Sequence, residues 1–212
     1  PLRGKQTPSL EGRAGPAEDE PDTSNNTIGL IDLFGGVSSL RVALTAAGYD
    51  VGVHHYVENN GAASKVVKYW FPDLWHGGDI RPIAEKSQDY AKNFCETVRA
   101  QNQKPAAIVL GCGFPCRELS MVNQERKGLH HGETARFHEA KKIFQSLVNE
   151  RDDSEPPLRG IFENVQSMPD EALYEITQEL RSVDPNIECV GIDAATVAHC
   201  RRPRDWWTNW YV

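Results

Sequence analysis

The chain has 212 residues, a length that suits one domain or one domain with a tail. Hydrophobic residues make up 39%, enough for a single core, and no apolar run approaches the roughly 20 residues that cross a bilayer. The formal net charge of -7 excludes a uniformly basic nucleic-acid coat but leaves room for a local basic face.

Residues 1–26 are rich in Pro, Gly, Glu, Asp and Ser and hold almost no large apolar side chains. Such a segment cannot bury enough surface to offset chain entropy, so it predicts a disordered leader without a secretory signal. Order is expected to begin near Thr27. The run Ile28 to Phe34 reads as a buried strand ending at Gly35-Gly36. Ser38 or Ser39 is expected to cap a helix with Leu40, Leu44 and Ala47 on one face and Gly48 as its stop. Val51 to Val57 predicts a second strand, and Ala62 to Tyr69 a short helix closed by Phe71-Pro72. No element is assigned between there and Ala106. Ala106 to Leu110 is fully apolar, as in a parallel strand buried on both faces.

A polar loop from about Gly111 to Glu133 follows, long enough to be functional or disordered. Residues 117–142 carry six Lys or Arg against four Glu, plus three His, so the local balance is basic. Thr134 to Asn149 predicts an amphipathic helix with Phe137, Ile143, Phe144 and Leu147 inward. Arg159 to Phe162 predicts a strand, Asp170 to Val183 a helix, and Ile187 to Ile192 and Trp206 to Val212 two more strands. Alternating strands and helices imply an α/β fold, a mostly parallel sheet with helices on both faces. The five cysteines form no paired framework, which points to a reducing compartment.

Five features carry candidate chemistry. Phe34-Gly35-Gly36 sits between a strand and a helix, where glycine lets a ligand approach the backbone and the helix start favours polar groups. The same turn also serves packing alone in many α/β proteins. Glu58 follows the second strand, where a carboxylate accepts from ribose hydroxyls or simply faces solvent. Asp79, before Ile80, either accepts from an adenine amino group or forms a turn. Gly113-Phe114-Pro115-Cys116 lies at the carboxyl end of a strand, where ligands of open sheets bind. Cys116 there reads as a nucleophile or as a small buried hydrophobe. A zinc site joining Cys112 and Cys116 with His130 or His131 has poor spacing, so no metal is assigned. Glu163 stands in an apolar context at another strand end and reads as a proton donor to a ring nitrogen or as the partner of an arginine. Arg201-Arg202-Pro203-Arg204 can fix a carboxylate or donate to a carbonyl, or form a solvated turn.

Taken in order, Asp32 to Gly36, Glu58, Gly78-Asp79-Ile80, Phe114-Pro115-Cys116, Glu163-Asn164-Val165 and Arg202-x-Arg204 resemble the motifs of the C5-cytosine DNA methyltransferases. Pro115 to Asn123, the run Arg126-Lys127-Gly128-Leu129 and Ala198-His199 are similar to the eukaryotic de novo branch. The resemblance covers about residues 27–210, the domain expected after the leader. It implies a Rossmann-like methyltransferase fold that uses S-adenosylmethionine. Phe34, Gly35, Gly36, Glu58, Asp79, Ile80 and Pro115 would then form the donor site. Cys116 would attack C6 of a flipped cytosine, with Glu163 on N3 and the amino group. Arg204 would contact the base O2, and Arg202 would support Glu163 and the loop. Arg117, Ser120, Asn123, Arg126, Lys127 and Arg136 are the expected DNA contacts. DNA, a homologous methyltransferase chain as partner and a nuclear location follow from the same resemblance. No membrane association is expected.

Val37-Ser38-Ser39 departs from the glycines of many members, so Ser38 is expected to narrow the donor site. Cys200 stands where many have Gln. The family continues past the arginine motif, so a target-recognition segment and a closing segment would follow Val212. The expectation is a fold incomplete at its C-terminus, with doubtful activity on its own. The competing readings are a transfer-RNA cytosine-5 methyltransferase, an inactive or regulatory fragment, and an oxidoreductase resting on the glycine turn alone.

Overall fold

The computed structural model describes residues 26–152, 154–196 and 199–210. The expected leader, Ala198, Tyr211 and Val212 lie outside the described residues, except that Asn26 is included. Among the described residues, seven strands form one sheet in the order β3-β2-β1-β4-β5-β7-β6. They are β1 (Thr27–Leu33), β2 (Asp50–Val57), β3 (Trp75–His76), β4 (Ala107–Cys112), β5 (Leu158–Val165), β6 (Glu188–Asp193) and β7 (Pro203–Thr208). The first five in chain order pair in parallel. β7 enters antiparallel between β5 and β6.

Among the described residues six α-helices accompany the strands: α1 (Ser39–Ala46), α2 (Gly61–Trp70), α3 (Ile80–Glu85), α4 (Ser87–Arg99), α5 (Phe137–Glu150) and α6 (Asp170–Arg181). Side chains alternate across β1 and β4. Ile31, Leu33, Ile108 and Leu110 join a large core with Phe94 of α4, Phe137 and Phe144 of α5 and Ile176 of α6. Ile28, Leu30 and Val109 face the other way, where Leu40 and Leu44 of α1 cover them in part. This is an α/β Rossmann-like sandwich. No helix among the described residues is long and apolar enough to cross a membrane.

Several boundaries differ from the expectation. β3, α3 and α4 occupy the stretch left without elements. α4 buries Tyr90, Ala91, Phe94, Cys95 and Val98, a spacing of one, three or four residues amid polar neighbours. α1 is not capped by a serine side chain, and Ala47 is exposed, although Gly48 closes the helix at φ 92°. A side-chain cap does form on α2, where Asn60 Oδ1 accepts from the N–H groups of Ala62 and Ala63 at 3.0 and 3.1 Å. β5 runs three residues past Phe162, and β7 begins at Pro203, not Trp206, because the two pair antiparallel. Val165 lies opposite Arg204 and Glu163 opposite Trp206. Register between distant strands is not written in local periodicity.

Candidate active site

All the candidate residues except those of the arginine turn stand at the carboxyl ends of the parallel strands. The chain leaves β1 through a turn with three left-handed residues, Phe34 (φ 55°), Gly36 (φ 55°) and Ser38 (φ 57°). Phe34 N–H donates to Val57 O of β2 at 2.8 Å, which fixes the start of the turn. Gly35 is dictated by space: a Cβ there would lie 2.7 Å from the Asp32 carboxyl and 2.8 Å from the Tyr56 ring. The Gly36 peptide is held from both sides. Its N–H donates to Glu58 Oε2 at 3.1 Å, and Tyr56 Oη donates to its carbonyl at 2.5 Å. Ser38 does not narrow the site. Its buried hydroxyl turns away and donates to Asp32 Oδ2 at 2.8 Å.

Beside this turn a shallow cleft is lined by Phe34, Val57, Glu58, Asn59, Gly78, Asp79, Ile80, Glu133 and Arg136. Four of the seven expected donor-site residues line it: Phe34, Glu58, Asp79 and Ile80. Gly36 touches it through Glu58, while Gly35 and Pro115 are not in its lining. Glu58 accepts one backbone N–H on each oxygen, from Gly36 and from Asn60 at 2.7 Å, so lone pairs remain on both. Asp79 caps α3 through Arg81 N–H at 2.9 Å and receives the Arg81 guanidinium on both oxygens. That guanidinium holds the Asp79 carboxyl down at about 2. Arg136, an expected DNA contact, walls this cleft and pairs with Glu139 at 2.6 Å. Its position follows from the 3-10 turn Gly132–Arg136, which periodicity does not reveal.

The Cys116 end of the site is built around β5. Cys116 is half-buried against the core and opens one helical turn, with Leu119 and Ser120 N–H groups donating to its carbonyl at 3.0 and 2.9 Å. Asn164 is buried, and its Nδ2 donates to Phe114 O at 3.0 Å, tying the Phe114-Pro115-Cys116 segment to β5. The next residue inward, Glu163, faces the same segment, since a Cβ on Gly113 would lie 3.4 Å from Glu163 Oε2. Glu163 Oε1 pairs with Arg204 Nε at 2.5 Å, and both side chains keep about a fifth of their surface open. The partner of Glu163 is therefore Arg204, not Arg202. Arg202 is exposed in the β6–β7 turn, where its backbone N–H donates to Asp193 Oδ1 at 2.8 Å. Register decides this, because only residues inside β7 can reach β5.

The loop between Gly113 and His131 is folded back on itself. Asn123 Nδ2 donates to Arg117 O at 2.9 Å, and Ser120 Oγ accepts from Val122 N–H at 3.3 Å. Arg126 Nη1 donates to Leu119 O at 3.3 Å and to Ser167 O at 3.4 Å, which ties the loop down. Lys127 donates its backbone N–H to Glu118 at 3.1 Å and leaves its side chain exposed, as Arg117 does. At the far end His130 bridges His138 at 3.1 Å and Glu175 at 2.7 Å. Met121 and Val122 stand out at the tip, 66% and 92% exposed. Asn164, Ser167 and Glu118, which organise this loop, were not among the expected site residues. Their only sequence signal is position beside the motifs. Among the described residues no three His, Cys, Asp or Glu side chains come together to hold a metal ion.

No family model matches the chain. Among solved structures it resembles a variant DNMT2 of Spodoptera frugiperda, with a TM-score of 0.57 and 18% identity over 87% of this chain and 49% of that one. It also resembles the Dnmt2 methyltransferase of S. pombe, with a TM-score of 0.54 and 13% identity over 88% of this chain and 51% of that one. The chain thus spans about half the length of these proteins. Its fold is the Rossmann-like fold of those methyltransferases.

Proposed function

We propose that the chain is the catalytic part of a methyltransferase that modifies C5 of cytosine in duplex DNA. The observation that carries this reading is the convergence of Cys116, the Glu163–Arg204 pair and the Glu58–Asp79 cleft at one end of the sheet. S-adenosylmethionine fits the cleft by donor chemistry. Glu58 retains lone pairs for ribose hydroxyls, and the Gly36 turn leaves open space where a side chain would stand. When bound, that cofactor supplies an electrophilic sulfonium methyl group.

The residues then divide the work. Cytosine C5 is a poor nucleophile. The Cys116 thiolate adds to C6, and the electron pair of the C5–C6 bond takes the methyl group at C5. Glu163 hands a proton to N3 as negative charge builds there, and Arg204 keeps its carboxyl oriented. Loss of the C5 proton to solvent, with return of the N3 proton to Glu163, re-forms the double bond and expels the Cys116 sulfur as thiolate. C6 is inaccessible in a stacked duplex, so the base must swing out. The loop from Gly113 to His131 then covers it, with Arg117 and Lys127 free to meet phosphates.

The test is a covalent trap. The chain is incubated with labelled S-adenosylmethionine and duplex DNA containing 5-fluorocytosine, beside a transfer-RNA arm and a Cys116→Ala control. A labelled DNA adduct absent from the control supports the reading. An adduct with transfer RNA alone moves the substrate to RNA. Failure in both arms overturns the reading.

A further inference from the structure

Behind the donor turn lies a buried polar chain that the reaction itself does not use. Asp32, at the end of β1, is 4% exposed, and Ser38 is fully buried. Ser38 Oγ donates to Asp32 Oδ2 at 2.8 Å and so clips together the two ends of the Phe34–Ser38 turn. On the other side of Asp32 stands His54 of β2, 6% exposed, with Nε2 4.0 Å from Asp32 Oδ2 and without a hydrogen-bond partner among the described residues. Arg41 Nη1 lies 2.9 Å from His54 Nδ1. An arginine only donates, so Nδ1 must accept, and the ring proton resides on Nε2, aimed at Asp32. Arg41 is itself stacked over Phe71, its guanidinium carbon 4.2 Å from the ring centre.

The geometry points to Arg41 and His54 as positioning residues of the donor site, which act through Asp32 and Ser38 to hold the Gly35-Gly36 turn in its binding shape. This rests on the reading of that turn as part of the donor site. The relay runs from Arg41 to His54, from His54 to Asp32, and from Asp32 back to Ser38, six residues along the chain. Its other neighbours set the electrostatics. Glu58 at the end of β2 opposes the Asp32 charge, and Tyr56 and Cys112 of β4 also feel it, while Asp50 and Asp73 act on Arg41. Burial raises Asp32 to about 6, partly offset by Ser38. Burial, then Arg41, then His55 lower His54 to about 3, so the ring is neutral and the pair is no ion pair at neutral pH. The carboxylate form of Asp32 is the one that accepts from Ser38 and is favoured by the Nε2 proton of His54 4.0 Å away. Donor affinity therefore falls as pH drops through the region where Asp32 takes up its proton.

The experiment measures S-adenosylhomocysteine affinity by calorimetry from pH 5 to 8 for the wild type, Arg41→Met and Arg41→Lys. Unfolding temperatures are taken at each pH. Met cannot donate to Nδ1 and so no longer holds the Nε2–H tautomer on the Asp32 side. The expected result is an acid limb moved up by about one pH unit in Arg41→Met, hence roughly threefold weaker binding near pH 6.5, with recovery in Arg41→Lys. A limb unmoved by Arg41→Met, whatever happens to the unfolding temperature, overturns the relay while leaving the donor site intact. A wild type that binds no S-adenosylhomocysteine at any pH overturns the donor-site reading and this coupling with it.

Discussion

Arg204 Nε lies 2.5 Å from Glu163 Oε1, across the antiparallel pairing of β7 with β5. The guanidinium holds the carboxyl beside Gly113, two strands from the donor turn. An arginine that merely neutralised charge would tolerate lysine, whereas one that orients a carboxyl through its planar fork would not. Arg204→Lys and Glu163→Gln are each expected to slow methyl transfer about 100-fold or more with little change in donor affinity. Single-turnover kinetics with saturating cofactor reads the first effect and calorimetry the second. Equal loss in both would mean that the pair supports the fold alone.

Asn164 is the hinge pin of the Cys116 segment, since its Nδ2 donates to Phe114 O in a buried setting. Asn164→Ala leaves that carbonyl unsatisfied, which costs about 1–3 kcal/mol. Asn164→Asp is expected not to rescue, because a carboxylate cannot donate. Chemical denaturation gives the energy, and the rate of thiol alkylation at Cys116 reports the loosened segment. Alkylation as slow as in the wild type would count against a role for Asn164 in placing Cys116.

The two glycines of the donor turn separate steric from conformational demands. Gly35→Ala drives a Cβ to 2.7 Å from the buried Asp32 and is expected to cost about 3 kcal/mol. Gly36→Ala meets no atom within 4 Å but must hold φ 55°, a strain of about 1–2 kcal/mol. Urea unfolding of the two variants would reverse the prediction if Gly36→Ala were the less stable.

Asp32 and Asp79 tilt stability with pH in opposite senses. Burial raises Asp32 in the folded chain to about 6, above its ordinary 3.8, so its charge costs stability above that region and the cost is relieved as pH falls toward 4. Arg81 depresses Asp79 to about 2, so its contribution is present above 3.8 and lost as pH falls toward 2. Asp32→Asn is expected to flatten the stability profile between pH 4 and 6. Arg81→Ala is expected to flatten it only below pH 4. Denaturation midpoints across that range check both, and an unchanged slope in Asp32→Asn would mean that Asp32 is ionised at its ordinary value.

Arg126 offers a test of anchoring against phosphate binding. Its Nη1 reaches Leu119 O and Ser167 O, so Arg126→Ala is expected to speed proteolysis within the loop. Its effect on the salt dependence of DNA binding should be small, whereas Lys127→Ala should reduce the slope by about one. A reduced slope in Arg126→Ala with normal protease resistance would place the guanidinium on the DNA.

Much of the architecture was legible in the residues because it is local. The apolar run Ile28 to Leu33, the helical spacing of Phe137, Ile143, Phe144 and Leu147, and Gly48 after α1 all act within a few residues of their own position. The chemical types of the site, a cysteine after one strand and carboxylates after others, were likewise written in order along the chain. What only the tertiary structure decided is which side chain meets which. Glu163 meets Arg204 and not Arg202 because β7 pairs antiparallel in one register. Phe114 meets Asn164 across 50 residues, and Arg41 reaches Asp32 only through His54 of the neighbouring strand. Arg136 leaves the loop's basic run for the donor cleft because a 3-10 turn carries it there. Hydrophobic periodicity is a property of a segment, but pairing depends on register and on which faces close together, and those follow from packing the whole sheet.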